Sequence, residues 1–199
     1  MATRRRICAA MFLAATSVAG CGGKGEASYS LSDARKLASL RPVAPPWTWR
    51  PQDEKSADSG ASARHDPLLA RFRRETKELV DLGDAAGEWA DADKLAHIDI
   101  GVYKTSTDAH KAFAPFNALS LGWARRRGRI LSRSSFEGLG DEAWLLHVAD
   151  GGEQVTFHWR RGNVLVEAHM HCFGVCPAGL VPAARAWAER IDAAAHALG

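Results

Sequence analysis

Near the C-terminal end of the chain stands His169-x-His171-Cys172-x3-Cys176. Imidazole nitrogens and thiolate sulfurs are donors that zinc and copper accept, so His169 and His171 are candidate metal ligands, with Cys172 and Cys176 as possible partners. In an oxidising compartment the two thiols would pair with each other instead. That loop is small, so its chain-entropy contribution is only about 2 kcal/mol. Its use would be to pin a strand end against the element that follows. Strand alternation puts His169 and His171 on one face and turns Cys172 to the other, which counts against a site that uses both. The same alternation is expected to bring His147, His158 and Glu167 to the His169 face. That half-polar face would be solvated or would floor a ligand groove. Trp144, Trp159 and Trp187 recur at core spacing, where aromatics bury large areas.

Other chemistry has no foothold in the motifs. The chain has no G-x-S-x-G elbow, no H-E-x-x-H and no G-x-G-x-x-G. Gly22-Gly23-Lys24-Gly25 lacks the Ser/Thr, strand and helix of a phosphate loop. No catalytic residue and no cofactor is therefore expected, and the reading is of a binding protein, not an enzyme.

The N-terminus carries an address. Arg4, Arg5 and Arg6 precede the apolar run Ile7 to Val18, and Ala19-Gly20 lead into Cys21. As a helix the run is roughly 18 Å long, too short for about 30 Å of hydrocarbon. Val18-Ala19-Gly20-Cys21 resembles the lipobox of bacterial lipoproteins. The resemblance implies cleavage before Cys21, diacylglycerol on its sulfur, and acylation of the new amine. Two or three acyl chains would hold the protein stably on the extracytoplasmic face of the cell membrane, where one chain would not. A small molecule or protein of the cell envelope is then the expected partner.

Charge agrees with that address. The full chain has 26 Lys plus Arg against 23 Asp plus Glu. The three surplus cations are Arg4, Arg5 and Arg6, so the processed chain is near neutral and carries no basic footprint for nucleic acid. One local cluster survives, Arg125 to Arg127 with Arg129 and Arg133, and it reads as a solvated turn between two elements. Anionic lipid or wall polymer is the alternative contact.

The elements that must position these residues follow from periodicity. Residues 21–66 are expected to be a lipidated tether. Within it, Leu31, Ala34, Leu37 and Leu40 keep helical spacing ahead of Trp47 and Trp49, which should dock on the body. The charged, Ser/Gly/Ala-rich residues 51–66 are expected to be a disordered linker. Residues 67–199 suit one domain with one core. Pro67 to Leu82 reads as a helix. Ala96, Ile98, Ile100 and Val102 alternate as a strand, and a short helix from Ser106 or Thr107 is expected to end or kink at Pro115. Three further strands carry Trp144/Leu146/Val148, Val155/Phe157/Trp159 and Val164/Val166/Ala168/Met170. Counting across the turns predicts Trp144 near Trp159 and Phe157 opposite Val166. Leu180, Ala184, Trp187, Ile191, Ala194 and Leu198 form a long last helix. The expected class is α+β, a twisted, mainly antiparallel sheet of about four to five strands with helices on one face.

Ile98 to Phe113 (IDIGVYKTSTDAHKAF), Gly138-Leu-Gly-Asp-Glu-Ala-Trp144 and Arg161-Gly-Asn-Val-Leu-Val166 are similar to sensor-type extracellular domains of small actinobacterial lipoproteins and membrane kinases. The resemblance covers about half of the chain and consists mostly of strand and turn residues. It implies a fold of this class and transfers no catalytic residue.

Overall fold

The computed structural model describes residues 27–43, 47–51, 66–174 and 179–199. The signal segment, Cys21, linker residues 52–65 and Cys176 lie outside the described residues, together with the expectations placed on them.

Among the described residues are four helices, α1 (Leu31–Ala38), α2 (Pro67–Thr76), α3 (Ser106–Arg127) and α4 (Leu180–Leu198). The strands are β1 (Arg50–Pro51), β2 (Asp81–Asp91), β3 (Lys94–Tyr103), β4 (Arg129–Ser135), β5 (Glu142–Ala149), β6 (Gly152–Arg161) and β7 (Val164–Phe173). They form a single antiparallel sheet of 7 strands in the order β1-β2-β3-β7-β6-β5-β4. The class is α+β, and the sheet is wider than expected. The extra strands had no readable apolar alternation. β2 is built from Ala, Gly and acidic residues, and β4 is an exposed edge strand in which Arg129 and Arg133 stand where a turn was expected. Arg125 to Arg127 form the last turn of α3, complementing its C-terminal dipole.

Helices lie on both faces of the sheet, not one. On the first face, β3, β6 and β7 present Ile98, Ile100, Val155, Phe157, Trp159, Val166 and Met170, all at 0 or 1% exposure. Trp187 and Ile191 of α4, with Ala34 and Leu37 of α1, complete this core. The N-terminal segment belongs to it. Tyr29 and Trp49 are buried, Trp187 donates its indole N–H to the Leu40 carbonyl at 2.6 Å, and Trp47 packs edge-on to Trp49. Gly87 is required where α1 ends against β2, because a Cβ there would lie 2.3 Å from the Ala38 carbonyl oxygen.

α3 covers half of the second face. It runs through Pro115 to Arg127, where a short helix ending or kinking at the proline was expected. An interior proline costs about 3 kcal/mol. Burial of Ala112 and Phe113 before it, and of Leu119 and Ala124 after it, supplies the opposing gain. α2 is shorter than its apolar spacing suggested and packs on α3 rather than on the sheet, with Phe72 and Phe116 at 6.3 Å between ring centroids.

Two hairpins differ from the expected count, with unequal consequences. In β6–β7 the turn is Gly162-Asn163, so Arg161 pairs with Val164 and Trp159, not Phe157, lies opposite Val166. That shift preserves which side chains share a face. In β5–β6 the loop holds one more residue than expected, and Trp144 pairs with His158 while Ala143 pairs with Trp159. A one-residue slip turns a strand over. Trp144, Leu146 and Val148 therefore face α3, and Leu145 and His147 face the α4 side.

Candidate ligand groove

The uncovered half of the α3 face forms a groove of about 950 Å³. β2, β3, β7 and β6 make its floor, and the C-terminal half of α3 makes one wall. Asp66 closes the wall at the α2 end. As the helix N-cap it accepts from the Leu68 N–H at 2.8 Å, from the Trp123 indole N–H at 2.9 Å and from Arg126 at 3.0 Å. The Trp123 hydrogen bond first, with the Leu68 and Arg126 bonds, holds the Asp66 carboxyl below its usual range.

The floor is a run of imidazoles and carboxylates placed by cross-strand register. His158 on β6 pairs with Glu167 on β7, and their side chains meet at 3.0 Å. The other ring nitrogen of His158 lies 2.9 Å from the Asn117 amide oxygen on α3, and Phe116 covers the ring at 5.1 Å. Glu167 also receives the Ser120 hydroxyl at 3.3 Å and faces His169 at 3.4 Å. His97 is the register partner of His169, and the two rings stack at 5.2 Å between centroids. His97 in turn lies 2.6 Å from Asp99 and 3.4 Å from Glu88.

Burial pushes the Glu167 carboxyl up, but the hydrogen bond and charge of His158, then those of His169, outweigh it and hold the group well below the ordinary range. For His97, burial lowers the imidazole pKa, but Asp99, Glu167 and Glu88 together raise it by more, and the net direction is up. His171 goes the other way, down, because burial dominates its hydrogen bond to the Asp150 carbonyl.

The expected ligand face is assembled in part. His158, Glu167 and His169 converge. His147 does not: the β5 slip puts it on the opposite face, beside Glu153 at 3.4 Å. His171 sits at the sheet end, its ring against Phe173 at 4.1 Å. Cys172 is buried on the α4 face, away from His169 and His171. Among the described residues no group of three His, Cys, Asp or Glu side chains is arranged to hold a metal ion.

His97, Asp99 and Glu88 complete the floor and were not picked out in the sequence. His97 and Asp99 were legible as the polar side of the β3 alternation. What placed them beside His169 is the β3–β7 pairing, which joins strands separated by most of the domain. The constellation also resembles no hydrolytic triad. Glu167 stands between Ser120 and His158, so the imidazole is not positioned to accept the serine proton.

No protein-family model matches the chain, and no curated protein matches it in sequence. No helix among the described residues is long and apolar enough to cross a membrane.

Proposed function

We propose that this protein is a cell-envelope lipoprotein, held by lipid on Cys21 at the extracytoplasmic face of the cell membrane, whose domain binds a ligand in the α3-side groove without transforming it. The observation that carries the reading is the groove itself. An antiparallel sheet can leave one face to solvent, but here α3 and Asp66 wall that face into a concave space over half-buried, mutually paired imidazoles and carboxylates. Its volume is that of a small-molecule site. The tripartite N-terminal segment ending at Cys21 supports the anchor.

Anchoring through Cys21 would also orient the groove. Ala27 lies against Gly162 and Gly199, at the β6–β7 turn and the end of α4. Residues 21–27 reach about 20 Å at full extension. Asp150 and Gln154, which line the groove, lie toward the opposite end of β6, so its lip would face away from the membrane.

Native mass spectrometry of the mature protein from its own host tests the binding claim. A stoichiometric small-molecule adduct is expected, and it should be lost when the groove is filled by Ala86→Trp. The same spectrum reads the two-hydrogen deficit of a Cys172–Cys176 disulfide. Retention of the adduct in the filled variant would overturn the groove as its site. For the anchor, Cys21→Ser is expected to move the protein out of the membrane fraction. Unchanged partitioning would overturn the lipoprotein reading.

A further inference from the structure

From the charge layout of the groove we infer that its ligand is an amphipathic cation, an organic amine with an apolar body, whose ammonium group sits over Glu88 and Asp99 while its body lies against Trp123, Leu69 and Ala86. The inference rests on the groove being a ligand site.

Two observations carry it. The first is the imbalance of fixed charge. Asp66, Asp84, Glu88, Asp99, Asp150 and Glu167 line the groove against only Arg126 and Arg127. Arg126 is engaged by Asp66 at the wall, and Glu167 is satisfied by His158 and Ser120. The open end of the floor holds Asp84, Glu88 and Asp99, the last two sharing the single imidazole of His97. Side-chain exposures of 30% for Glu88 and 47% for Asp99 leave acceptor capacity turned to the groove. An ammonium offers three donors and a charge to such acceptors.

The second observation is apolar. Leu69, Ala86 and Trp123 present accessible apolar surface to the same groove, above the buried Ala124, Leu146 and Val148. An inorganic cation would leave that surface wet, whereas an alkyl or aryl body would cover it. An anionic amphiphile would fit the apolar wall but meet the carboxylates, which penalise it in proportion to their burial.

The neighbours of His97 add a pH readout. Glu88 faces it from β2, Asp99 from its own strand and Glu167 with His169 from β7, while Arg126 and Arg127 stand on α3 across the groove. A proton on His97 satisfies the carboxylates that the ammonium would use. Ligand and proton therefore compete, and amine affinity should rise with pH through the His97 titration.

Isothermal titration of the full mature chain carrying Cys21→Ser, with decylamine, decanol and decanoate as probes, tests this. All three share one apolar body, and the ammonium keeps its charge from pH 5.5 to 8, as a lysine does. Decylamine is expected to bind about tenfold or more tighter than decanol, decanoate weaker than both, with decylamine tighter at the higher pH. Glu88→Gln with Asp99→Asn should remove the advantage of the amine and leave decanol binding in place, which also shows that the variant is folded. Decanol or decanoate binding as tightly as decylamine would overturn the inference, and so would an amine preference that survives the double variant. Binding of none of the three would overturn the inference as well, while a native adduct lost on Ala86→Trp would leave the groove standing as a ligand site.

Discussion

The two faces of the sheet are made by the same strands and differ in what each asks of its neighbours. On the α4 side, Ile98, Phe157, Trp159, Val166 and Met170 are sealed under two helices in an apolar cluster. On the α3 side, one helix covers β5, β6 and β7 in part, and His97, His158, Glu167 and His169 share a floor with water-accessible space above. The first face holds the fold through apolar area. The second holds its polar groups through mutual pairing, which is the condition for keeping charge at a half-buried surface.

The widest gap between the faces should appear on truncation. Phe157→Ala is expected to cost about 3–5 kcal/mol in urea denaturation, while His169→Ala, facing the groove, should cost about 1 kcal/mol or less. Equal losses would erase the distinction. Next comes the knot that ties the N-terminal segment to the packed side. Asn163 accepts from the Tyr29 N–H and donates to the Tyr29 and Tyr103 carbonyls, all buried. Asn163→Ala should lose about 2–3 kcal/mol, and hydrogen exchange should show residues 27–40 opening.

Glu167 tests the other face. Its carboxyl is held below the ordinary value of 4.5, so its contribution is present above that value and lost as pH falls through the lower folded value. Glu167→Gln should cost about 1–2 kcal/mol at neutral pH and flatten the stability profile below pH 4.5, read from thermal midpoints against pH. A variant with the same acid limb as the parent would show that Glu167 does not carry it. The smallest effect belongs to His147, which the register puts on the α4 side. His147→Ala should change stability by no more than about 0.5 kcal/mol and leave groove binding unaltered. Loss of binding would return His147 to the ligand face.

Legibility followed the strength of local patterns. β3 and the two strands carrying Phe157 and Val166 were readable because apolar alternation over a buried face leaves one choice of register side. α4 was readable because its apolar stripe persists for five turns. β2 escaped because Gly83, Ala85, Ala86 and Gly87 give no alternation, and at Gly87 the close approach of α1 leaves no room for a side chain. β4 escaped because an edge strand keeps charge to discourage further pairing. α3 was cut short because proline is a local signal, and the packing that overrides it comes from residues the chain has not yet reached.

His158, Glu167 and His169 were brought together correctly because they alternate on strands joined by a tight turn. His147 was misplaced by one loop residue, and His97 was invisible as a neighbour because β3 and β7 meet across the longest connection in the sheet. The sequence by itself determined the class of fold, the packed side of β3, β6 and β7, and the alternation that turns Cys172 away from His169. These depend on periodicity and composition, which neighbouring residues carry. Tertiary structure alone decided that α3 covers half of the second face, that His97 stacks on His169, and that carboxylates outnumber guanidiniums around the space left open. Those depend on which distant strands pair and how many residues a loop spends, quantities that local propensity does not encode.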